Sequence, residues 1–300
     1  MRRMNLFSEF YKAVGHNVYS SASSEWVEIQ HGMLLSVPYH RIISPSKSEI
    51  EKLFADANAM GIRFPTDQDG YGFSSSLAMC RKIDYSMTDL SSKARNQVRK
   101  GMKNFEIRTV SHSELLIDGL HLNRKTLARQ QRNDPKSDKN VWDKISSACF
   151  TIEGIKVFGA YHMNKLAAYM VVLETPTAAE IIIQNSDSDL LNLCPNNILA
   201  YTVTRDYLSA DGPALPVCYG LGSLEITQSL DHFKSIMGYD LESIKQRIVF
   251  NRKIRPFLNS GALHILDLLQ SKLFKKNYFI RKCHGLLSCY LNQTSGTNHV

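Results

Sequence analysis

The sequence predicts an α/β protein with a mixed, mostly antiparallel sheet flanked by helices, in two lobes of which the first is reduced. Two observations predict this class. The chain has 300 residues, which is about twice the length of a common domain. Stretches with helical spacing of apolar residues alternate with strand-like runs, and residues 155–185 hold three such runs in succession.

Composition narrows the class further. With 43% hydrophobic and 21% charged residues, the sequence is an ordinary globular one, which excludes a disordered, collagenous or coiled-coil chain. No apolar run approaches the ~20 residues that cross a bilayer, and Glu9, in the run that follows Arg2 and Arg3, carries a charge where a signal peptide is apolar. The six cysteines form no Cys-x-x-Cys pair, which predicts free thiols, no metal and a cytoplasmic location.

Pattern and charge divide the chain into three predicted regions. Residues 1–89 form the reduced lobe, 90–250 the main domain with a basic linker helix over 90–103, and 251–300 a basic tail. In the tail, eight Lys and Arg residues stand against Asp267 alone, a net +7 out of +8 for the whole chain. The basic balance therefore belongs to the tail and does not by itself make the body a nucleic-acid binder.

The first lobe begins with a predicted hairpin at residues 25–37, closed by a proline that cannot continue the ladder. Ser46 begins a capping-box sequence, and apolar residues at helical spacing continue until Gly61, where the helix is expected to end. Phe64–Gly72 is rich in turn residues, so the next strand is expected only at Phe73–Cys80.

The predicted linker helix has two faces. At spacing i, i+4, i+8 an apolar stripe lies beside a basic one: Ala94, Val98 and Met102, then Arg95, Arg99 and Lys103. No acidic residue lies within Ser91–Lys103 to balance the basic stripe. It suits a phosphate-bearing partner such as tRNA, CoA or a nucleotide-sugar, although a basic stripe is also typical of a plain solvated face.

After this helix, the order of elements becomes distinctive. Three strands of the meander precede a helix, a strand, a short helix and a last strand: Ile155–His162, Leu166–Leu173, Glu180–Asn185, Ile198–Ala210, Val217–Gly220, Leu230–Met237 and Ile244–Phe250. Pro195 opens the first of these helices at a position where its missing N–H costs no hydrogen bond.

This order resembles the acyl-transferring core of the GNAT acyltransferases, and two motifs refine the resemblance. Residues 90–101, LSSKARNQVRKG, resemble the basic linker helix of the Fem-type peptidoglycan aminoacyl transferases and related two-lobed acetyltransferases. Residues 230–239, LDHFKSIMGY, resemble their Phe-Lys-x-x-x-Gly signature. Over residues 90–250 the resemblance implies transfer of an acyl group from acyl-CoA, or of an aminoacyl group from aminoacyl-tRNA, to an amine.

One departure concerns the donor. GNAT enzymes that use acyl-CoA usually carry a glycine-rich loop before the central helix, whose backbone N–H groups hold the pyrophosphate. Residues 190–197 contain no glycine. Because the glycine-rich loop is missing, both acyl-CoA and aminoacyl-tRNA remain candidate donors. The short first lobe favours acyl-CoA. The implied acceptor is a small-molecule amine or an amine of a cell-envelope or glycan precursor.

Four residues are candidates for the chemistry. By the resemblance, Lys234 neutralises a donor phosphate or the developing oxyanion. Glu225 and His232 flank the same turn and helix, so either is a candidate for taking the proton of the amine. Tyr219, at a strand end, is a candidate for protonating the leaving group. Each has an ordinary structural reading beside this one, as a solvated or packed side chain.

Five further residues are candidates for holding the donor: Asn185, Asn196, Asn197, Arg95 and Arg99. The asparagines lie where the third meander strand ends and the next helix begins, and the arginines belong to the basic stripe. The third meander strand itself is expected to part from its neighbour and to offer backbone N–H groups to the acyl carbonyl.

Two further expectations involve basic surface. The tail at Gly261–Tyr290 combines an apolar stripe with lysines and arginines, so it either contacts an anionic membrane, at the inner face, or docks on the body. The alternative to an enzyme is a GNAT-like scaffold without catalysis, which binds nucleic acid or an anionic membrane through these basic surfaces. The oligomeric state is not predicted.

Overall fold

The structure is a computed structural model that describes residues 5–30, 32–224, 228–273 and 277–294. Its helices are α1 Leu6–Val14, α2 Lys47–Ala57, α3 Ser92–Asn104, α4 His112–Glu114, α5 Leu120–Arg129, α6 Lys139–Thr151, α7 Pro195–Leu208, α8 Gln228–Ile236, α9 Ser260–Leu268 and α10 Tyr278–Leu291. Its strands are β1 Val18–Ser20, β2 Glu25–Gln30, β3 Met33–Val37, β4 Gly61–Thr66, β5 Phe73–Cys80, β6 Glu106–Thr109, β7 Ile155–His162, β8 Lys165–Glu174, β9 Ala179–Ser186, β10 Val217–Leu221 and β11 Asp240–Phe250.

The described residues form two compact units. One contains those within Met1–Leu77, Leu221–Thr227 and Glu242–Val300, and the other those within Ala78–Gly220 and Gln228–Leu241. The domain limits predicted after residues 89 and 250 stay predictions.

In the first unit the strand order is β1-β2-β3-β4-β11, and only β3 and β4 run parallel. Trp26, Ile62 and Phe64 are buried together beneath α2. Phe64 therefore lies in a strand and not in the predicted turn-rich segment. Pro65 is tolerated there because the pairing of β3 with β4 ends at Arg63, so no N–H is needed on that side beyond it.

In the second unit β10-β9-β8-β7-β6 is the strand order, and only β9 and β10 run parallel. Helices cover the sheet on both faces: α3 and α7 share one core with it, and Trp142 of α6 packs against Tyr169 of β8 on the other side. The predicted fold class, a mostly antiparallel sheet flanked by helices, is confirmed.

One stripe of α3 differs from the prediction. Ala94 and Val98 are buried as expected, but Met102 is exposed and Gly101 takes the buried place. Gly101 lies seven residues after Ala94, which returns to the same helix face, and a Cβ there would meet the Cβ of Ile198 at 2.6 Å. A glycine is required because α3 and α7 approach this closely.

Among the described residues, none of the helices combines the length and hydropathy needed to span a membrane. Their His, Cys, Asp and Glu side chains form no group of three or more that is able to hold a metal ion. All six cysteines are free thiols, as the sequence predicts.

Candidate functional site

The parallel strands β9 and β10 part soon after they meet. Throughout the described chain their register consists of two pairs, Val217 with Ala179 and Cys218 with Glu180. Beyond Glu180, β9 continues beside β8 to Ser186, and the shift in its register with β8 makes Ile182 an extra, bulged residue. A bulge bends its strand. The edge of β9 beyond Glu180 therefore has no ladder partner in β10.

Gly220 belongs to β10 and lies two residues after Cys218, the last residue of β10 that pairs with β9. Its φ of +87° lies in the left-handed region that side chains disfavour, and no atom lies within 4 Å of where a Cβ would stand. Because open space surrounds this position, backbone conformation rather than crowding requires the glycine.

Lys234 belongs to α8 and lies beside Tyr219 of β10. On α8, Phe233 packs edge-on against the Tyr219 ring, and Met237, just after the helix, is fully buried, so the side of α8 that carries Lys234 faces the sheet. Only 3% of Lys234 is exposed, and its Nζ lies 5.7 Å from the Tyr219 ring centroid. The ammonium is thus held beside the strand end and not in bulk water.

The glycine of the signature ends α8. Gly238 has φ +84°, and a Cβ there would lie 2.9 Å from the carbonyl oxygen of Asp89. This left-handed residue returns the chain to β11 directly after the helix, with the Tyr239 N–H donating to the Lys234 carbonyl. The Phe-Lys-x-x-x-Gly spacing therefore positions Lys234 in the last turn of a short helix.

Asp231 is the charged neighbour that the structure pairs with Lys234 among the described residues. The Lys234 Nζ lies 4.0 Å from Oδ1 of Asp231, one turn earlier on α8. Burial lowers the pKa of Lys234 from its ordinary value, and Asp231 opposes this shift. The neighbouring Cys218 thiol has its pKa raised well above the usual range by burial, with the Glu180 carboxylate adding to the rise. Cys218 is therefore a neutral thiol, and Lys234 brings a positive charge to the parting.

The lowered pKa of Lys234 predicts a pH dependence. If the ammonium is required, transfer falls as pH rises through this lowered pKa, at a lower pH than an exposed lysine would give. The Lys234→Arg variant keeps its charge over the whole range, so we expect its alkaline limb to be absent. The measurement is kcat against pH for both proteins. Coincident alkaline limbs would contradict a role for the Lys234 charge.

The other candidates for the chemistry are placed differently. Tyr219 contacts Phe233, Tyr239 and Lys234, and burial raises the pKa of its hydroxyl, which stays protonated. His232 is exposed on α8. Glu225 lies outside the described residues. The structure thus brings Lys234 and Tyr219 together, and the roles predicted for all four residues stay predictions.

The N-terminus of α7 lies at the end of β9. Cys194 occupies the N-cap in the left-handed region and offers no side-chain hydrogen bond to the helix, and Pro195 follows. Burial raises the pKa of the Cys194 thiol, and the nearby charge of Lys100 on α3 opposes that shift. An uncapped helix start beside a lysine is an electropositive place that suits a phosphate.

Two of the predicted asparagines lie at this helix start. The Asn196 amide donates to the Ser186 hydroxyl at 3.1 Å, and its oxygen accepts from Gln184 at 3.3 Å. Asn197 is buried and donates to Gln97 of α3 at 3.2 Å and to the Met237 sulfur at 3.7 Å. Asn196 therefore ties α7 to β9, and Asn197 joins α7 to α3 and to the end of α8.

Asn185 lies on the opposite face of the sheet. Its amide donates to the Tyr169 hydroxyl and, at 3.4 Å, to Asn123 of α5. Because the bulge at Ile182 inverts the alternation along β9, Gln184 and not Asn185 points toward α7. The sequence did not predict Gln184 as a residue beside α7, because no residue pattern along β9 indicates the bulge at Ile182.

The two arginines of the basic stripe differ in their bonding. Arg95 is half-buried and donates to the Leu90 carbonyl at 2.9 Å, close to where the Ser91 N–H donates to Ile236 of α8. Arg99 is exposed and lies 3.5 Å from the Asn96 side chain. Arg99 thus faces solvent on the exposed side of α3, and the binding roles of both arginines stay predictions.

Comparison by sequence finds no match, either among known protein families or among curated proteins. Comparison of folds does find matches. Together with the parted strands, they define a GNAT-like fold of the Fem type, which confirms the resemblance drawn from the sequence at the level of the fold.

FemX is one of these structures, with a TM-score of 0.57, 11% identity, and coverage of 84% of this chain and 92% of FemX. A second is the C-terminal domain of a putative lysylphosphatidylglycerol synthetase from Agrobacterium fabrum, with a TM-score of 0.51, 14% identity and coverage of 90% and 93%. A conserved protein of unknown function from Bacteroides thetaiotaomicron also gives 0.51, at 10% identity, with coverage of 81% and 88%. At such low identity the likeness shows the fold alone.

Proposed function

We propose that this protein is an N-acyltransferase that moves an acyl or aminoacyl group from a phosphate-bearing donor to an amine. The observation that carries the proposal is the parting of β9 and β10 after two residue pairs, with the buried Lys234 ammonium beside it. Such a parting supplies unused main-chain N–H groups in a place shielded from water, where hydrogen bonds to a carbonyl are strongest.

In the reaction proposed for the site between β9 and β10, one bond forms and one bond breaks. The amine nitrogen forms a bond to the donor carbonyl carbon, and the bond from that carbon to the leaving sulfur or oxygen breaks. Main-chain N–H groups of β9 and the Lys234 ammonium stabilise the negative charge on the carbonyl oxygen. The amine gives up a proton, for which Glu225 and His232 are the proposed acceptors, and Tyr219 is the proposed donor of a proton to the leaving group.

For the donor, acyl-CoA is proposed first and aminoacyl-tRNA second. Both carry phosphates, which suit the uncapped start of α7 beside Lys100 and the solvent-facing Arg99. Asn196 and Asn197 hold the first turn of α7 in place, so their contribution to donor binding is proposed as positioning. Arg95 supports the basic stripe in the same way, through its bond to Leu90.

Asn185 is proposed to face the acceptor and not the donor. It lies with Asn123 and Tyr169 on the side of the sheet opposite α7. The acceptor proposed is an amine on a small molecule or on a cell-envelope or glycan precursor, as the resemblance of residues 90–101 and 230–239 to the Fem-type transferases implies. A cytoplasmic location agrees with such precursors and with both donors.

A non-catalytic scaffold is the second candidate function, favoured by the absence of glycine in residues 190–197. It would bind nucleic acid through the basic stripe of α3 and make no use of the parted strands. The two functions differ in what they bind, so a binding experiment separates them.

A thermal-shift titration with CoA, acetyl-CoA and bulk tRNA tests the proposal. We expect Tm to rise with donor concentration, by the linkage between binding and stability. The Lys100→Ala variant should need a higher donor concentration for the same rise. Lys144→Ala is the matched control because Lys144 is exposed on α6. No response to any of the three compounds would contradict donor binding, and a response to tRNA that stays unchanged without the aminoacyl group and produces no transfer would favour the scaffold.

A further inference from the structure

Arg63 lies in β4, on a face of the first unit's sheet where its neighbours are apolar. Along β4, Ile62 and Phe64 face α2, so Arg63 faces the other side. Its partners across the sheet are Leu35 of β3 and Ile248 of β11, which share this face and are 5% and 1% exposed. A charged side chain between two buried apolar neighbours is uncommon and requires a compensating partner.

The described residues give Arg63 no such partner. Arg63 is half-buried, and its Nε is enclosed without a hydrogen-bond partner. Among the residues that the structure describes, the guanidinium forms neither a hydrogen bond nor an ion pair. Four glutamates of the same unit are bonded to other groups: Glu25 to Ser8, Glu28 to Asn17, Glu49 to Ser23 and Glu51 to Arg252.

Tyr39 and Cys289 of α10 interact electrostatically with Arg63, but neither balances its charge. Burial lowers the pKa of Arg63 to about 10, and these two groups oppose that shift. The Cys289 thiol, whose pKa burial raises, donates to the Leu224 carbonyl at 3.7 Å. The Tyr39 hydroxyl shares a hydrogen bond with the Tyr11 hydroxyl at 2.5 Å. Because a thiol and a phenol are ordinarily uncharged near neutral pH, the positive charge of Arg63 is not compensated by either.

We infer that the Arg63 guanidinium binds an oxyanion, the carboxylate or phosphate group of a small molecule. A guanidinium presents its N–H donors in a planar fork that matches two oxygens of such a group. Tyr39 is held by Phe7 of α1, at 5.0 Å between ring centroids, and Cys289 by the packing of α10 on the sheet, so the surroundings of Arg63 are fixed before an anion binds. Part of the Arg63 side chain remains exposed, which gives an anion access from solution. This inference does not rest on transfer activity.

Thermal-shift titrations of the full chain with inorganic phosphate and with acetate test the inference, each against sodium chloride of equal ionic strength. We expect Tm to rise with at least one of the two anions, and the anion whose effect depends on Arg63 identifies the ligand group. In the Arg63→Met variant the apparent Kd for that anion should be at least about tenfold weaker, since a charge-assisted contact is lost. The variant is expected to fold, because removing a half-buried charge that lacks a partner removes a desolvation cost.

Arg252→Met is the matched control, because Arg252 belongs to the same unit, is exposed and pairs with Glu51. It should respond to both anions as the unchanged protein does. Phosphate also stabilises folded proteins in general, an effect that all variants share. The inference is overturned if neither anion raises Tm above the chloride reference, or if the rise is equal in Arg63→Met. A rise with phosphate that Lys100→Ala loses and Arg63→Met keeps would assign the anion to the start of α7 instead.

Discussion

Replacing Lys234 with methionine is expected to lower the rate of acyl transfer by about 100-fold or more, which is the usual cost of removing one group that stabilises an oxyanion. Methionine has a similar length and no charge. Because Lys234 is 3% exposed and lies against Tyr219, the variant keeps the packing and loses only the ammonium. The measurement is kcat and KM with saturating amine.

The same variant is expected to be as stable as the unchanged protein or more so. Burial lowers the pKa of Lys234, so at neutral pH its charge is held in the folded state at a cost, and replacing a buried charge with an apolar side chain is often neutral or stabilising. The cost is fully present below the lowered pKa of the folded state and disappears as pH rises toward the ordinary pKa of lysine. The difference in Tm between the two proteins should therefore shrink at alkaline pH.

Lys144→Met serves as the control for this prediction. Lys144 is exposed on α6, so its replacement removes a lysine of the second unit without touching the parted strands. It should leave both kcat and Tm unchanged. A Lys234→Met protein with full turnover would remove Lys234 from the chemistry, and one with a lower Tm would show that the ammonium stabilises the fold.

Local sequence signals predicted the elements whose boundaries are marked by the chain itself. The hairpin of β2 and β3 and the strands β5 and β7 have the predicted limits, because Pro38 and the turn residues around them leave few alternatives. The helix of the signature was predicted for a similar reason. Gly238 is needed there to end α8, so the motif fixes both the helix end and the place of Lys234.

Local sequence patterns did not predict the position of a residue where a contact with an element distant in the chain determines that position. Met102 continues the apolar stripe of α3 in sequence, but the close approach of α7 gives the buried place to Gly101. Pro65 indicates a turn, yet it lies in β4 because β3 no longer pairs at that position. Asn185 was expected beside α7, and the bulge at Ile182 places Gln184 there instead. None of these three outcomes is visible from neighbouring residues.

Replacing Gly101 with valine is expected to weaken donor binding and to destabilise the protein by about 1–3 kcal/mol, which is typical of adding volume to a packed contact. A Cβ at this position would meet the Cβ of Ile198 at 2.6 Å and the carbonyl oxygen of Cys194 at 3.1 Å. The second of these atoms belongs to the N-cap of α7. The start of α7 must therefore move, and with it the backbone N–H groups proposed to hold the donor phosphate.

Met102→Val is the matched control for this prediction. It introduces the same residue into the same helix one position later, where the side chain is exposed, so α7 is not touched. Valine is a poorer helix former than methionine and a better one than glycine, so any loss of helix propensity falls on the control and not on Gly101→Val. Thermal unfolding and the donor KM are measured for both variants. We expect a raised donor KM and a lower Tm for Gly101→Val alone, since only that variant displaces Cys194. If Gly101→Val keeps the donor KM of the control while losing stability, the N-terminus of α7 does not bind the donor, and the phosphate must be sought on the exposed face of α3 beside Arg99.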